Sequence, residues 1–536
     1  MKKAVIILVF FGVFQGFSQE DAWVYFVDKP NFQAYFDAPL LMLSQRSLDR
    51  RTAQSIALDM KDVPIFQTYI DQVVAANGIL VRAKSKWFNA LHVVGSQQDI
   101  ASLSALSFVD HIEYANHLLN IGGKNTVVSN FVRPQKTFET TTVFDYGNSQ
   151  NQISMMNGQL LHEQNFTGAG KIVAVMDAGF PGVNTIAPFA RLRDNNLILG
   201  GYDFVNRTDN FYNGFWHGTS VLSTMGGFVE GQLVGTAPDA GYYLFITEDV
   251  ASEGPIELSL WVEAAEEADR LGADIITTSL GYTTFDNPAY DFTYNDMNGT
   301  STFISRGLEI AFSRGMVCVN SAGNEGDSLW HYISAPADAE HALAVGAVTP
   351  NGSYAVFSSQ GPTFDGRVKP DVVAQGQAAV VSDEFGNISL ANGTSFSGPI
   401  VAGMVASFWQ ALPGKTNTEL MQLIKEASSQ FANPDETLGY GIPNFDLALT
   451  TALQTTSMVK NQVVVHPNPT KSNIFFDFDA SETSADLRIY DQLGHLILYQ
   501  TILNNEAIDV KKWASGLYFY ELKTTFFSKR GKILKN

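Results

Sequence analysis

From Lys171 onward the chain sets short, wholly apolar runs against segments with helical spacing. That alternation leaves few folds open. The runs cover residues 172–176, 243–246, 275–277, 317–319 and 343–348. Segments 218–225, 258–271 and 303–313 intervene with apolar residues at helical spacing. A strand that is apolar on both faces must be covered on both faces, so the pattern predicts an α/β unit with a parallel sheet between layers of helices. In such sheets, reacting groups gather where strands end at their carboxyl side. Asp177 closes the first run, and Ser321-Ala322-Gly323-Asn324 follows a later one.

A second feature lies far downstream. Asn392-Gly393-Thr394-Ser395-Phe396-Ser397-Gly398-Pro399 joins a polar loop to the apolar run 400–406, which reads as a buried helix. A serine at such an entry faces free N–H groups and the positive end of the helix dipole, where an anion is favoured. Pro399 is expected in the first turn, where no backbone donor is needed. On this segment alone, a plain helix cap explains Ser395 as well as a nucleophile does.

The upstream residues decide between them. Of nine histidines, only His217 opens a His-Gly-Thr-Ser segment that runs straight into a buried helix. The chain order is therefore Asp177, His217, Ser395. That order excludes the α/β-hydrolase arrangement, and Gly393-Thr394-Ser395-Phe396-Ser397 also fails the Gly-x-Ser-x-Gly elbow. A serine hydroxyl needs a base to accept its proton, and the base needs a partner that fixes its tautomer.

These motifs resemble those of the subtilisin-like serine proteases. The resemblance rests on Val175-Met176-Asp177-Ala178-Gly179, His217-Gly218-Thr219, Ser321-Ala322-Gly323-Asn324-Glu325-Gly326 and Gly393-Thr394-Ser395 with Pro399. Ser279-Leu280-Gly281, Phe357-Ser358-Ser359-Gln360-Gly361-Pro362 and Lys369-Pro370-Asp371-Val372 match further family segments. It implies a triad of Asp177, His217 and Ser395, with Asn324 as oxyanion donor beside the Ser395 N–H. It also implies that Ser279, Leu280 and Gly281 pair with an extended substrate, with Ala322 and Gly323 lining the same groove. The related sedolisins place acidic groups where this chain has His217 and Asn324. Ala178 departs from the family pattern, which has Ser or Thr after the Asp, and Tyr282 stands where a small residue is usual. The chemistry implied requires no cofactor. A structural Ca²⁺ is open at acidic loops such as Asp286-Asn287 and 291–298, although no ligand spacing stands out there.

Two flanking units complete the chain. Residues 19–120 read as a small β-α-β-β-α-β unit, ferredoxin-like in order, and resemble a subtilisin propeptide that occupies the cleft of its own enzyme. Residues 121–150 turn to Asn, Thr, Gly and Ser without periodicity and read as an exposed linker. The peptidase unit is placed at 151–455. Residues 456–536 carry only short strands with Pro, Asn and Gly turns, a β-sandwich. Val465-His466-Pro467-Asn468-Pro469-Thr470, Gly516-Leu517-Tyr518 and the Lys532-Ile533-Leu534-Lys535 end resemble a type IX secretion sorting domain. A generic carbohydrate- or protein-binding sandwich is the plainer alternative.

At the other end, Met1-Lys2-Lys3 precedes the apolar run 4–14 and the small residues Gly16 and Ser18, the pattern of a signal peptide cut after Ser18. No later run is long enough to be a transmembrane helix. A net charge of −20 argues against nucleic-acid partners. The single cysteine, Cys318, excludes an intrachain disulfide and reads as an inert core residue. The expectation is a secreted or outer-surface serine endopeptidase, made as a precursor. Its partners would be extended protein or peptide substrates, its own propeptide and a secretion machinery. The alternative is a catalytically silent scaffold acting as an adhesin.

Overall fold

The computed structural model describes residues 19–120, 143–460, 463–478, 484–524 and 528–536. The expected signal peptide and residues 121–142 of the expected linker lie outside them. The chain divides into two compact units, 1–448 and 449–536.

The first unit begins with strand β1 (Gln19–Phe26), helices α1 (Gln45–Ala53) and α2 (Gln67–Val74), strands β2 (Ile79–Ser85) and β3 (Ala90–Ser96), helix α3 (Gln97–Ser102) and strand β4 (Val109–Tyr114). The strands form an antiparallel sheet in the order β2-β3-β1-β4. One face buries Ala22, Val24, Leu91, Val93 and Ile100 in a core of its own. Helix α1 belongs to a connection the periodicity does not predict, because its sequence is almost wholly polar.

The rest of this unit is built on a seven-stranded sheet. Its strands are β5 (Ile172–Asp177), β6 (Ile198–Asp203), β7 (Gly241–Ile246), β8 (Ile275–Thr278), β9 (Val317–Ser321), β10 (Ala342–Val348) and β11 (Val372–Gln375). All pair in parallel, in the order β11-β10-β9-β8-β5-β7-β6. The layering helices include α4 (His217–Gly226), α5 (Ile256–Leu271), α6 (Phe303–Ser313) and α7 (Thr394–Ala411), and α8 (Phe445–Lys460) follows them in the chain. Strands β8 to β10 are buried at every residue, as parallel strands covered on both faces must be. Cys318 sits inside this layer with 1% of its surface exposed, and burial pushes its thiol well up.

Two expectations are corrected. Residues 143–149 are only in part the exposed stretch expected: Val143, Asp145 and Asn148 are exposed, but Tyr146 is buried, stacks on His162 and hydrogen-bonds its Nδ1 at 2.9 Å, while Ser149 Oγ accepts from Val234 N. Pro399 lies beyond the first turn, at the sixth residue of α7. It therefore removes a helix hydrogen bond to the carbonyl four residues back, that of Ser395.

The second unit holds two antiparallel sheets. One contains β12 (Val464–His466), β13 (Asn473–Asp477) and β16 (Ile508–Asp509). The other contains β14 (Ala485–Tyr490), β15 (Leu496–Ile502), β17 (Gly516–Lys523) and β18 (Ser528–Lys535). Ile474, Phe476, Leu487, Ile489, Leu522 and Ile533 meet in one core between them.

Candidate active site

The carboxyl edge of the parallel sheet carries the chemistry-bearing residues. Asp177 is the last residue of β5 and has no exposed surface. Its Oδ1 accepts from His217 Nδ1 and from Ala178 N, both at 2.8 Å. Its Oδ2 is buried with no hydrogen-bond partner among the described residues. A serine or threonine at 178 could offer a hydroxyl there; the methyl of Ala178 cannot.

His217 is the first residue of α4, so the helix fixes its backbone while its ring projects beside Asp177. Burial alone would lower the imidazole's proton affinity. The Asp177 carboxylate more than offsets this through charge and hydrogen bond, with a smaller push from Glu248, and the net shift is upward. Nε2 makes no hydrogen bond among the described residues. The ring centroid lies 6.0 Å from that of Phe396, the residue after Ser395.

Ser395 is the second residue of α7 and 8% exposed. Its Oγ donates to the Ser279 carbonyl at 3.4 Å. In return, Ser279 Oγ donates to the Ser395 carbonyl at 2.9 Å, the group that Pro399 leaves without a helical donor. The proline thus has a local use: it frees a carbonyl by which the segment after β8 is tied to the serine. Leu280 and Gly281 continue that segment. A β-carbon at 281 would fall 2.0 Å from Ser334 Oγ, so only glycine fits.

Asn324 follows β9 in an exposed turn. Its Oδ1 accepts from Thr394 N at 2.8 Å and Thr394 Oγ1 at 3.0 Å. Those two bonds fix the amide plane and leave Nδ2 free to donate. Gly393 has φ near +150°, and a β-carbon there would lie 3.6 Å from Ser395 N and 3.7 Å from Asn324 Nδ2. Both donors therefore border one small space that glycine keeps clear. Ala322 and Gly323 lie alongside: Gly323 N donates to Thr394 Oγ1, and Ala322 is buried.

The fold thus brings Asp177, His217, Ser279, Leu280, Gly281, Ala322, Gly323, Asn324 and Ser395 to one edge of the sheet. Three residues there escape the motif reading. Glu248, Glu253 and Glu257 bring carboxylate oxygens within 4.8 Å of one another. Glu248 is held up to about 8 by burial and then by Glu253, Glu253 to about 7 by burial and Asp286, and Glu257 to about 9 by burial and Glu248. Tyr282, whose size made the groove hard to read, is buried and donates to Glu248 Oε2 at 2.8 Å. A carboxyl just past the carboxyl end of β7, the strand beside β5, is the signal that could have flagged Glu248. The carboxylates of Asp286, Asp291 and Asp296 accept from backbone N–H groups of Glu253, Phe285 and Thr293.

Comparison with known proteins gives three matches in register with this architecture. Residues 21–130 match the peptidase S8 propeptide domain of Bacteroidota, residues 168–441 the subtilase family, and residues 464–536 a secretion system C-terminal sorting domain. Subtilisin E of Bacillus subtilis is 29% identical over 284 residues, covering 52% of this chain and 66% of that protein. A thermostable alkaline protease of Halalkalibacterium halodurans is 31% identical over 289 residues, covering 53% and 68%. The match thus spans about two thirds of each relative's length. The crystal structure of MycP1 from the ESX-1 type VII secretion system aligns with a TM-score of 0.45 at 23% identity, over 59% of this chain and 89% of that one.

Proposed function

The chain belongs to the subtilase family, and on that premise we propose that it is the precursor of an exported serine endopeptidase that cuts extended polypeptides. One observation carries the reading. The bonded pair of buried Asp177 and half-buried His217, the helix-entry Ser395 and the tethered Asn324 amide meet at one sheet edge.

Each residue then has a step. Ser395 Oγ leaves the Ser279 carbonyl, a rotamer change of ordinary cost, and gives its proton to His217 Nε2 as it attacks the scissile carbonyl. Asp177 holds Nδ1–H and stabilises the imidazolium that forms. The negative oxygen of the tetrahedral intermediate receives hydrogen bonds from Asn324 Nδ2 and Ser395 N, the second strengthened by the dipole of α7. His217 returns the proton to the leaving amine, and a water repeats the sequence on the acyl-enzyme. Ser279 to Gly281 pair with the substrate backbone, which selects extended chain over any one side chain. The steps require no cofactor.

The flanking units give the order of events. Residues 1–18 direct export, 19–120 act as a cleft-directed propeptide cut away between 120 and 143, ahead of the buried Tyr146 and Ser149, and 456–536 address the chain to a type IX machinery that delivers it outside the outer membrane. Fluorophosphonate labelling tests the core of this reading. The mature protein should label rapidly and Ser395→Ala not at all, with unchanged circular dichroism. A folded parent that resists the reagent would instead be a silent scaffold.

A further inference from the structure

The propeptide unit touches the peptidase unit in two separate places. The β1–β4 sheet lies over the middle of α5 and α6. Trp23 Nε1 donates to Ser259 Oγ at 2.7 Å, Ser85 Oγ and Trp87 N donate to Glu266, and Arg306 pairs with Glu113. Helix α1 and the turn after it, residues 44–62, reach somewhere else.

Three arginines on α1 are spent on the ends of the peptidase helices. Arg50 is 7% exposed. It donates to Asp269 Oδ1 at 2.5 Å, to the Arg314 carbonyl at 3.2 Å and to the Ala273 carbonyl. Arg51 pairs with Asp269 Oδ2 at 2.6 Å and with Asp62 at 2.7 Å. Arg46 donates to Asp274 at 2.5 Å, to Gly272 O at 3.0 Å and to Gly170 O at 2.9 Å. Charge also flows the other way: Arg314 of the peptidase unit pairs with Asp59 at 2.8 Å and with Asp62 at 3.6 Å. Gln54 then bonds both Gly315 O and Asn417 N.

Every acceptor on the peptidase unit precedes a strand. Gly170 lies before β5, Asp269 to Asp274 before β8, and Arg314 and Gly315 before β9. The contact is therefore at the amino edge of the sheet, and the catalytic groups are at its carboxyl edge. The length of β5 puts about 16 Å between the two edges. Guanidinium groups on carbonyls at helix carboxyl ends also complement the dipoles of α5 and α6. Gly272, in the left-handed region that ends α5, leaves room for Arg46, whose Cγ would sit 2.8 Å from a β-carbon there. Lys29 ties residues 44–62 to the sheet, with Nζ donating to the carbonyls of Met60, Val63 and Lys86.

We propose that residues 44–62 are a second foothold that keeps the propeptide seated on the peptidase unit after the chain between them is cut, at a surface remote from the catalytic edge. This rests on the reading that residues 19–120 are excised. Two linked footholds hold far more tightly than either alone, because losing one leaves the other at high effective concentration. The occupant is this chain's own propeptide, recognised by exchange of buried charges.

The test is made independent of catalysis. A full chain carrying Ser395→Ala and a recognition sequence for an added site-specific endoprotease between residues 120 and 143 is purified and cut. Dissociation of the two pieces is then followed after dilution. The pieces should stay together, and Arg50→Met should weaken the complex about a hundredfold, because the buried Asp269 loses one of its two guanidinium partners and keeps only Arg51, while the Ala273 and Arg314 carbonyls lose their donor. Arg50→Met combined with Asp269→Asn should weaken it by much less than the product of the single effects. Arg46→Ala, at a half-exposed position that folding of α1 does not need, should weaken it about tenfold. Unchanged dissociation in both Arg50→Met and Arg46→Ala would overturn the proposal, as would multiplicative effects in the double variant.

Discussion

Replacing Asn324 by leucine separates transition-state stabilisation from substrate binding. The side chain's acceptor is held twice, by Thr394 N at 2.8 Å and Thr394 Oγ1 at 3.0 Å, so its donor is aimed before substrate arrives. A preoriented donor gains most when the oxygen it faces becomes an anion. Leucine of similar volume removes that donor and leaves Ser395 N alone. For a donor of this class the loss, established on subtilisin itself, is about 10²–10³ in kcat, or roughly 2.7–4 kcal/mol, with KM little changed. The tether gives a graded control. Thr394→Val deletes one of the two bonds that aim the amide and should cost about tenfold, or ~1.4 kcal/mol, as one hydrogen bond does. The assay is steady-state hydrolysis of a fluorogenic peptide, normalised by active-site titration so that misfolded protein is not counted. If Asn324→Leu raised KM tenfold and spared kcat, the residue would be a ground-state binder and the oxyanion assignment would be wrong.

Other outcomes follow from the same geometry. Ala178→Ser should give the unpaired Asp177 Oδ2 a donor and raise kcat/KM about two- to tenfold, the worth of one hydrogen bond at ~0.5–1.5 kcal/mol; a folded variant no faster than the parent would refute this. Glu248, Glu253 and Glu257 are held up to between about 7 and 9, against ordinary values near 4.5. Their contribution to stability is therefore full below pH 4.5 and is lost as pH rises through 7 to 9, because the unfolded chain releases protons the folded chain keeps. Glu257→Gln should flatten the fall in stability across this window by up to about 1.4 kcal/mol per pH unit, read by urea unfolding at several pH values; an unchanged slope would remove Glu257 from the account. Deleting residues 463–536 should leave peptidase activity in a lysate and none outside the outer membrane, and a truncated chain exported as well as the parent would end the sorting role.

Much of the peptidase unit is legible in sequence because its information is local. Strands β5 and β7 to β10 are continuous apolar runs, and Asp177, His217, Asn324 and Ser395 each sit in a short motif of their own. What escapes is either interrupted or nonlocal. Strand β6 contains Gly200-Gly201, which breaks its pattern, and β11 has four residues directly behind Pro370-Asp371. Strand β18 is rich in lysine, the dress of an edge strand rather than of a core one. Helix α1 has almost no apolar face, because most of its partners are carbonyls and carboxylates more than 100 residues away. The anchoring of residues 143–149 hangs on Phe144 and Tyr146, two rings in a run of Asn, Gly, Ser and Gln whose composition reads as linker. The Tyr282–Glu248 bond joins two segments 34 residues apart, and neither side chain marks the other.

The strand order carries a consequence for how the molecule comes into being. Strand β5 is the first strand of the large sheet to be made, yet its neighbours are β7 and β8, which begin at Gly241 and Ile275. A nascent chain therefore carries β5 with two bare edges through many tens of residues of further synthesis, open to pairing with any other extended segment. Its own antiparallel unit, by contrast, closes with contacts that end at Tyr114 and can form at once. The molecule is thus ordered in time as well as in space: the part to be discarded can fold early, and the part that works must wait for its last strands.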